Sequence, residues 1–188
     1  MAEGHVTVDR QTHDLPDPFF VVATQNPSRS AGTYPLPDSQ LDRFLMRISI
    51  GNPNADVEQE IVSRGDGHRG LADLQSIGCA EDVIQLQQSA RKAHVEAEID
   101  AYIVRLSRYT RESTELRTGV STRGAQALHR AAQARAVIHG RDYVNPDDVR
   151  QLVGPVFGHR IGIRNGGNES GAIAGVMHEM LATIGAPD

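Results

Sequence analysis

A continuous apolar run, Phe19-Phe20-Val21-Val22-Ala23, is fenced by Pro18 on one side and by Thr24-Gln25-Asn26-Pro27 on the other. Five apolar residues without alternation, bounded by prolines, fit a strand covered on both faces, as in the parallel sheets of α/β proteins. Such a strand needs neighbours on its edges and layers above and below it, so it commits the chain around it to a sheet architecture. The carboxyl end of a strand of this kind is where open α/β sheets bind ligands. Asn26 stands there, and its amide could serve a ligand; Asn-Pro is equally a common way to punctuate a loop. Further on, Pro37 precedes Asp38-Ser39-Gln40-Leu41-Asp42-Arg43-Phe44-Leu45. This predicts a short helix over 38–45 whose Leu41 and Phe44 face inward while Arg43 projects. Met46 to Ile50 alternates and predicts a second strand, ending at Gly51-Asn52-Pro53.

Upstream, His5 to Asp9 alternates as a short strand, and 10–18 is a turn-rich connection. From Ala55 onward the strand signals stop. Helices are predicted over 56–64, with Asn54 as cap, over 80–93 and over 99–112. In the last of these Ile99, Tyr102, Ile103, Leu106 and Tyr109 fall on one face. Ser121 caps a long helix to about Ile138, with Ala125, Leu128, Ala132 and Ala136 along one side. Asn145-Pro146-Asp147-Asp148 is a helix start built from a cap residue, a first-turn proline and acids that favour the positive helix N-terminus. A glycine-rich break over 162–171 reads as a linker without the lysine or preceding strand of a phosphate loop, and 172–184 as a final helix.

Composition narrows the function. The 188 residues carry a net charge of −5. Eighteen of the nineteen basic residues are arginines, scattered rather than striped, which argues against a nucleic-acid partner. Cys79 is the lone cysteine, so no internal disulfide forms. No apolar run approaches the roughly 20 residues of a membrane span, and the polar start lacks the apolar core of a signal peptide. These features imply a cytoplasmic protein. The eight histidines show no metal-ligand spacing, and no Gly-x-Ser-x-Gly elbow is present.

Arg123 falls in the first turn of the helix capped by Ser121. Cations are disfavoured there unless a negative partner is at hand. A phosphate would serve, and so would Glu112 or Glu115 across the preceding loop. Arg43 has the same two readings, a functional cation or an ion pair with Asp38 or Asp42.

Several of these segments resemble the MoxR family of AAA+ ATPases. Ala23-Thr24-Gln25-Asn26-Pro27 matches the family's ATQNP, and Gly32-Thr33-Tyr34-Pro35-Leu36-Pro37-Asp38-Ser39-Gln40-Leu41-Asp42-Arg43-Phe44 its GTYPLPEAQLDRF. Gly119-Val120-Ser121-Thr122-Arg123 is similar to its GASPR, Gly140 to Val149 to its GRDYVTPDDV, and His159-Arg160-Ile161 to its HRI. The resemblance runs from about Val6 to the C-terminus. It implies that Asn26 is the sensor 1 residue, Arg43 an arginine finger directed at a neighbouring subunit's nucleotide, with Arg47 as the weaker substitute, and Arg123 the sensor 2 arginine.

The resemblance further implies an α/β fragment of a P-loop AAA+ core over 1–54 followed by an all-α lid over 55–188. It implies ATP and Mg²⁺ as cofactors of the full-length protein, and assembly into a ring, expected to be hexameric. The implied work is chaperone-like, on metalloenzyme clients or on partners with von Willebrand factor A domains. The family's P-loop needs glycines and a lysine that cradle phosphates. Lys92, the one lysine, stands without them, and no strand ends in the acidic pair that would hold magnesium. This chain alone is therefore expected to be inactive, with a non-catalytic module joining rings of full-length relatives as the alternative.

Overall fold

The computed structural model describes residues 4–25, 36–64, 74–164 and 169–187. Asn26 lies outside them, as do 28–31, Tyr34, 65–70 and, within the glycine-rich break, 165–168. The chain divides into two compact units, Met1–Phe19 with Ile48–Gln85, and Phe20–Arg47 with Leu86–Asp188.

In the first unit, β1 (His5–Val8) and β2 (Gln11–Asp14) form an antiparallel hairpin in which Val8 faces Gln11. Asp9 and Arg10 close it, both with positive φ (49° and 68°). Two consecutive left-handed residues match the twist of a two-residue hairpin. The second strand was hidden in the sequence because neither turn residue is the glycine that usually marks such a hairpin. Helix α2 (Ala55–Arg64) begins as predicted, with the Val57 N–H donating to Asn54 Oδ1 at 2.9 Å.

Two expected strands are not formed. Residues 19–23 and 46–50 carry no strand pairing; Phe20 is 82% exposed and Ile50 95%. An extended segment becomes a strand only when a neighbour takes its N–H and C=O groups. Every described strand is instead spent in one of two separate two-stranded pairs.

The core of the second unit is helical. After α3 (Ala80–Lys92), it is built from α4 (Ala97–Glu112), α5 (Thr122–Ile138), α6 (Pro146–Phe157) and α7 (Glu169–Thr183). Tyr102, Leu106, Leu128, Val153, Phe157 and Met180 are fully buried in one cluster. On α5 the buried positions Ala131, Ala132 and Ala136 are small, which lets neighbouring backbones approach closely. The α6 start forms a complete capping box between Asn145 and Asp148, a device worth about 1 kcal/mol. Asp148 then accepts from Arg141 Nη1 and Nη2 at 2.7 Å each and forms an ion pair with Arg135 at 3.4 Å, which offsets its burial.

A small sheet was not foreseen. β3 (Leu116–Thr118) pairs antiparallel with β4 (Gly162–Ile163), so the expected linker begins as a strand. Strands of three and two residues are too short for alternation to show in a sequence. Their pairing returns the chain after α6 to the loop that leads into α5.

Candidate functional site

Helix α1 (Asp38–Leu41) is one turn long. The chain then stays coiled, with the Arg43 N–H donating to Gln40 O at 3.2 Å and the Phe44 N–H to Leu41 O at 3.1 Å. This coil half-buries Leu41, Asp42 and Phe44 and leaves Arg43 exposed.

What fixes the coil is Arg160, in the turn that follows α6. Its side chain is 2% exposed. The guanidinium donates to the Asp42 carboxylate at 3.0 Å, to Asp42 O at 3.1 Å and to Leu45 O at 3.2 Å, and also to the carbonyls of Phe44 and Val156. A buried guanidinium is tolerated only when its donors are satisfied, and here four backbone carbonyls and one carboxylate satisfy them. Burial still pulls the Arg160 pKa below its ordinary value. Asp42 opposes that shift, while the Arg123 charge adds to it. Beside it, His159 Nε2 donates to Phe44 O at 3.2 Å, and burial, followed by the Arg160 charge, holds its pKa below 6.5.

Asp42 also reaches α5. Ser121 caps that helix, accepting from the Gly124 N–H at 3.2 Å and donating its hydroxyl to the Asp42 carboxylate at 3.1 Å. Two residues later stands Arg123. The close approach depends on Gly124, since a Cβ there would lie 2.6 Å from Val120 Cγ1 and 2.9 Å from Arg160 Cδ. Asp42 thus ties the segment carrying Arg43 to the helix turn carrying Arg123.

The two arginines singled out by sequence line one cleft of about 540 Å³, together with Asp42, Gln126, Arg130 and Arg160. The ion pairs that would have given them purely structural roles are not formed. Asp38 pairs with Arg117 at 3.3 Å and Asp42 with Arg160, which leaves no carboxylate for Arg43. Glu112 pairs with Arg108 at 3.2 Å rather than with Arg123. Among the described residues, no side-chain hydrogen bond or ion pair engages the guanidinium of Arg43, Arg123 or Arg130. Arg47 is not part of the cleft lining; its backbone N–H donates to Pro155 O at 2.9 Å. Reading the sequence missed Arg130 and the organising part of Asp42 and Arg160. The available signal was a His-Arg pair at the end of an apolar helix, since a charge in such a place needs a buried partner.

Residues 1–46 match the model of the ATPase family associated with various cellular activities (AAA), and residues 108–174 match that of the AAA lid domain. Relatives agree. The chain is 39% identical over 188 residues to YeaC of Bacillus subtilis, an uncharacterized protein, spanning 100% of this chain and 59% of that one. It is 36% identical over 172 residues to the chaperone MoxR1 of Mycobacterium tuberculosis, covering 86% of this chain and 45% of its relative. The chain belongs to the MoxR-type AAA+ ATPases.

The same fold is met in a solved structure of a candidate ATPase from Cytophaga hutchinsonii, with a TM-score of 0.83 at 30% identity, over 100% of this chain and 60% of that one. The chain spans about half the length of the curated relatives it matches. In MoxR-type terms the cleft draws on both matched regions: Arg43 comes from the AAA segment, and Arg123, Arg130 and Arg160 from the lid segment.

Proposed function

We propose that this chain supplies the arginine side of an ATP site in a MoxR-type AAA+ ring, with 1–54 as the end of the ATPase core and 55–188 as the lid. One observation carries the reading. Arg43 and Arg123, 80 positions apart in sequence, face the same cleft with their guanidinium groups unpaired. An arginine in water forfeits little by being unpaired, but several facing one concavity repel each other until an anion enters. The residues present fit the phosphate end of a nucleotide, which planar guanidinium forks bind in bidentate fashion.

Because both arginines share one cleft, we read them as serving one nucleotide. Its phosphates would meet the arginines of this chain on one side and the P-loop of an adjoining full-length subunit on the other, with Asn26 acting at the strand end of its own subunit. ATP with Mg²⁺ supplies the reactive phosphoanhydride when bound. Arg43 would stabilise charge developing on the transferred phosphoryl group, a role worth about 10³–10⁵ in rate where arginine fingers act. Arg123 would orient the phosphates, and the Asp42–Arg160 pair would hold Arg43 in place. Among the described residues no cluster of His, Cys, Asp or Glu is placed to hold a metal ion. Ring assembly, a cytoplasmic location and chaperone-like action on metalloenzymes or von Willebrand factor A domain partners complete the proposal. Among the described residues, no helix is long and apolar enough to cross a membrane.

The test is a titration of this chain with fluorescent Mg-ATP at protein concentrations that permit self-association. The expected result is saturable binding by the arginine side alone, weaker than a complete site would give, that Arg43→Ala and Arg123→Ala each weaken further. No saturable binding, or binding indifferent to both substitutions, would contradict the reading.

A further inference from the structure

The cleft contains a guanidinium that the finger and sensor roles leave unused. Arg130 stands seven residues beyond Arg123 on α5, with Gln126 between them on the same face, and all three line the cleft. It is exposed, and no hydrogen bond or ion pair engages its side chain among the described residues. We propose that Arg130 is a third phosphate-binding residue, and that Arg43, Arg123 and Arg130 together make the cleft a receptor for a linear chain of phosphates, as in a nucleoside triphosphate, rather than for a single phosphate group. The proposal deepens the cleft reading above and rests on it.

Spacing and charge carry the argument. Seven residues of helix separate the two α5 positions by about 10 Å along the axis. A single phosphate is poorly matched to that span, whereas a chain of phosphates offers oxygens along it. Arg43 approaches from the separate coil after α1, so the ligand is gripped from two elements. The one carboxylate of the cleft, Asp42, already receives Arg160 and the Ser121 hydroxyl. That leaves three positive charges unanswered in a chain whose net charge is −5, so the cleft does not simply mirror composition. Clefts lined by one sign of charge focus the field on an incoming counter-ion. The repulsion is already felt within the protein, since the charge of Arg123 helps to lower the pKa of Arg160. Gln126 adds an amide that can donate to a phosphate oxygen or meet a sugar hydroxyl.

The experiment is a calorimetric titration of this chain, at fixed low salt, with tripolyphosphate, orthophosphate and Mg-ATP. The variants are Arg130→Gln, Arg130→Lys, Arg43→Ala and Arg123→Ala, with Arg91→Gln as a charge-matched control outside the cleft. Circular dichroism checks that each folds. Arg130→Gln is expected to weaken tripolyphosphate about tenfold, the scale of one charge-assisted hydrogen bond, with Arg130→Lys recovering part of the loss and Arg91→Gln little changed. Tighter Mg-ATP would identify the nucleotide as the ligand and tighter tripolyphosphate a free polyphosphate; either supports the chain of phosphates. Orthophosphate binding as tightly as tripolyphosphate would overturn it. If Arg130→Gln matches the Arg91 control while Arg43→Ala and Arg123→Ala still lose affinity, the third contact falls and the ATP-site reading stands. If no cleft variant matters, or the wild-type chain does not bind tripolyphosphate, both fall.

Discussion

The helices around Phe157 and the segment around Phe20 are made of similar residues and meet opposite fates. Phe157 is fully buried, as are Leu106, Leu128 and Val153 around it. Phe20 and Val22 are 82% and 76% exposed. A helix satisfies its own backbone and needs only a neighbour for one face, so α4 to α7 close a core from nearby sequence. A strand needs partners for its backbone as well, and residues 19–23 and 46–50 have none among the described strands. The cleft falls at the join of these two kinds of sequence. The short coil carrying Arg43 follows the first apolar segment, and Arg160 reaches across from the helical part to anchor it.

The contrast can be broken or sharpened by substitution. Phe157→Ala should have the largest effect, lowering the unfolding free energy by about 3–5 kcal/mol, the usual cost of an emptied aromatic site; chemical denaturation would measure it. Asp42→Ala should follow at about 2–3 kcal/mol, less than a fully buried pair because Asp42 is partly exposed, since it leaves the buried Arg160 guanidinium without its carboxylate. It should also loosen Arg43, seen as faster hydrogen exchange of the Asp42 to Leu45 amides, some of which are held by the coil. Gly124→Ala should cost about 1–3 kcal/mol by overpacking against Val120 and Arg160.

A smaller effect comes from His159. Burial and the Arg160 charge, helped by Arg47, depress its pKa below the ordinary 6.5, while its bond to Phe44 O opposes the shift. The folded state therefore holds the ring neutral where the unfolded chain takes up a proton. Its contribution is fully present above pH 6.5 and is lost as pH falls through the depressed folded value. Denaturation midpoints on either side of pH 6.5 should show this slope, and His159→Gln should flatten it. Phe20→Ser should be smallest, within about 0.5 kcal/mol. A loss as large as that of Phe157→Ala would mean that Phe20 is packed in solution and would dissolve the comparison.

Much of the helical part was legible in the sequence because its signals are local. The Ser121 cap, the Asn145–Asp148 start and the apolar faces of α4 and α5 each lie within a few turns of chain. The hairpin turn at Asp9-Arg10 was hidden because residues other than glycine adopt the left-handed conformation there. The β3–β4 pair was hidden by brevity. The apolar runs at 19–23 and 46–50 carry a strand pattern, but pattern alone does not provide the partners, and no strand forms there. In the cleft, Arg43 and Arg123 were found by motif, whereas the service of Asp42 to Arg160 joins positions 118 apart and leaves no periodic trace. Arg130 sits at ordinary spacing on an ordinary helix face, and only the cleft beside it distinguishes it from a solvated cation.

The most direct test of the account is a double-mutant cycle on Mg-ATP binding, using Arg43→Ala, Arg123→Ala and the two combined, with affinities from calorimetry. If both arginines grip one triphosphate in one cleft, their effects will be coupled, and the double variant will depart from the sum of the singles by about 0.5–3 kcal/mol. Strict additivity, or binding that ignores either residue, would contradict the claim that one nucleotide is served by both.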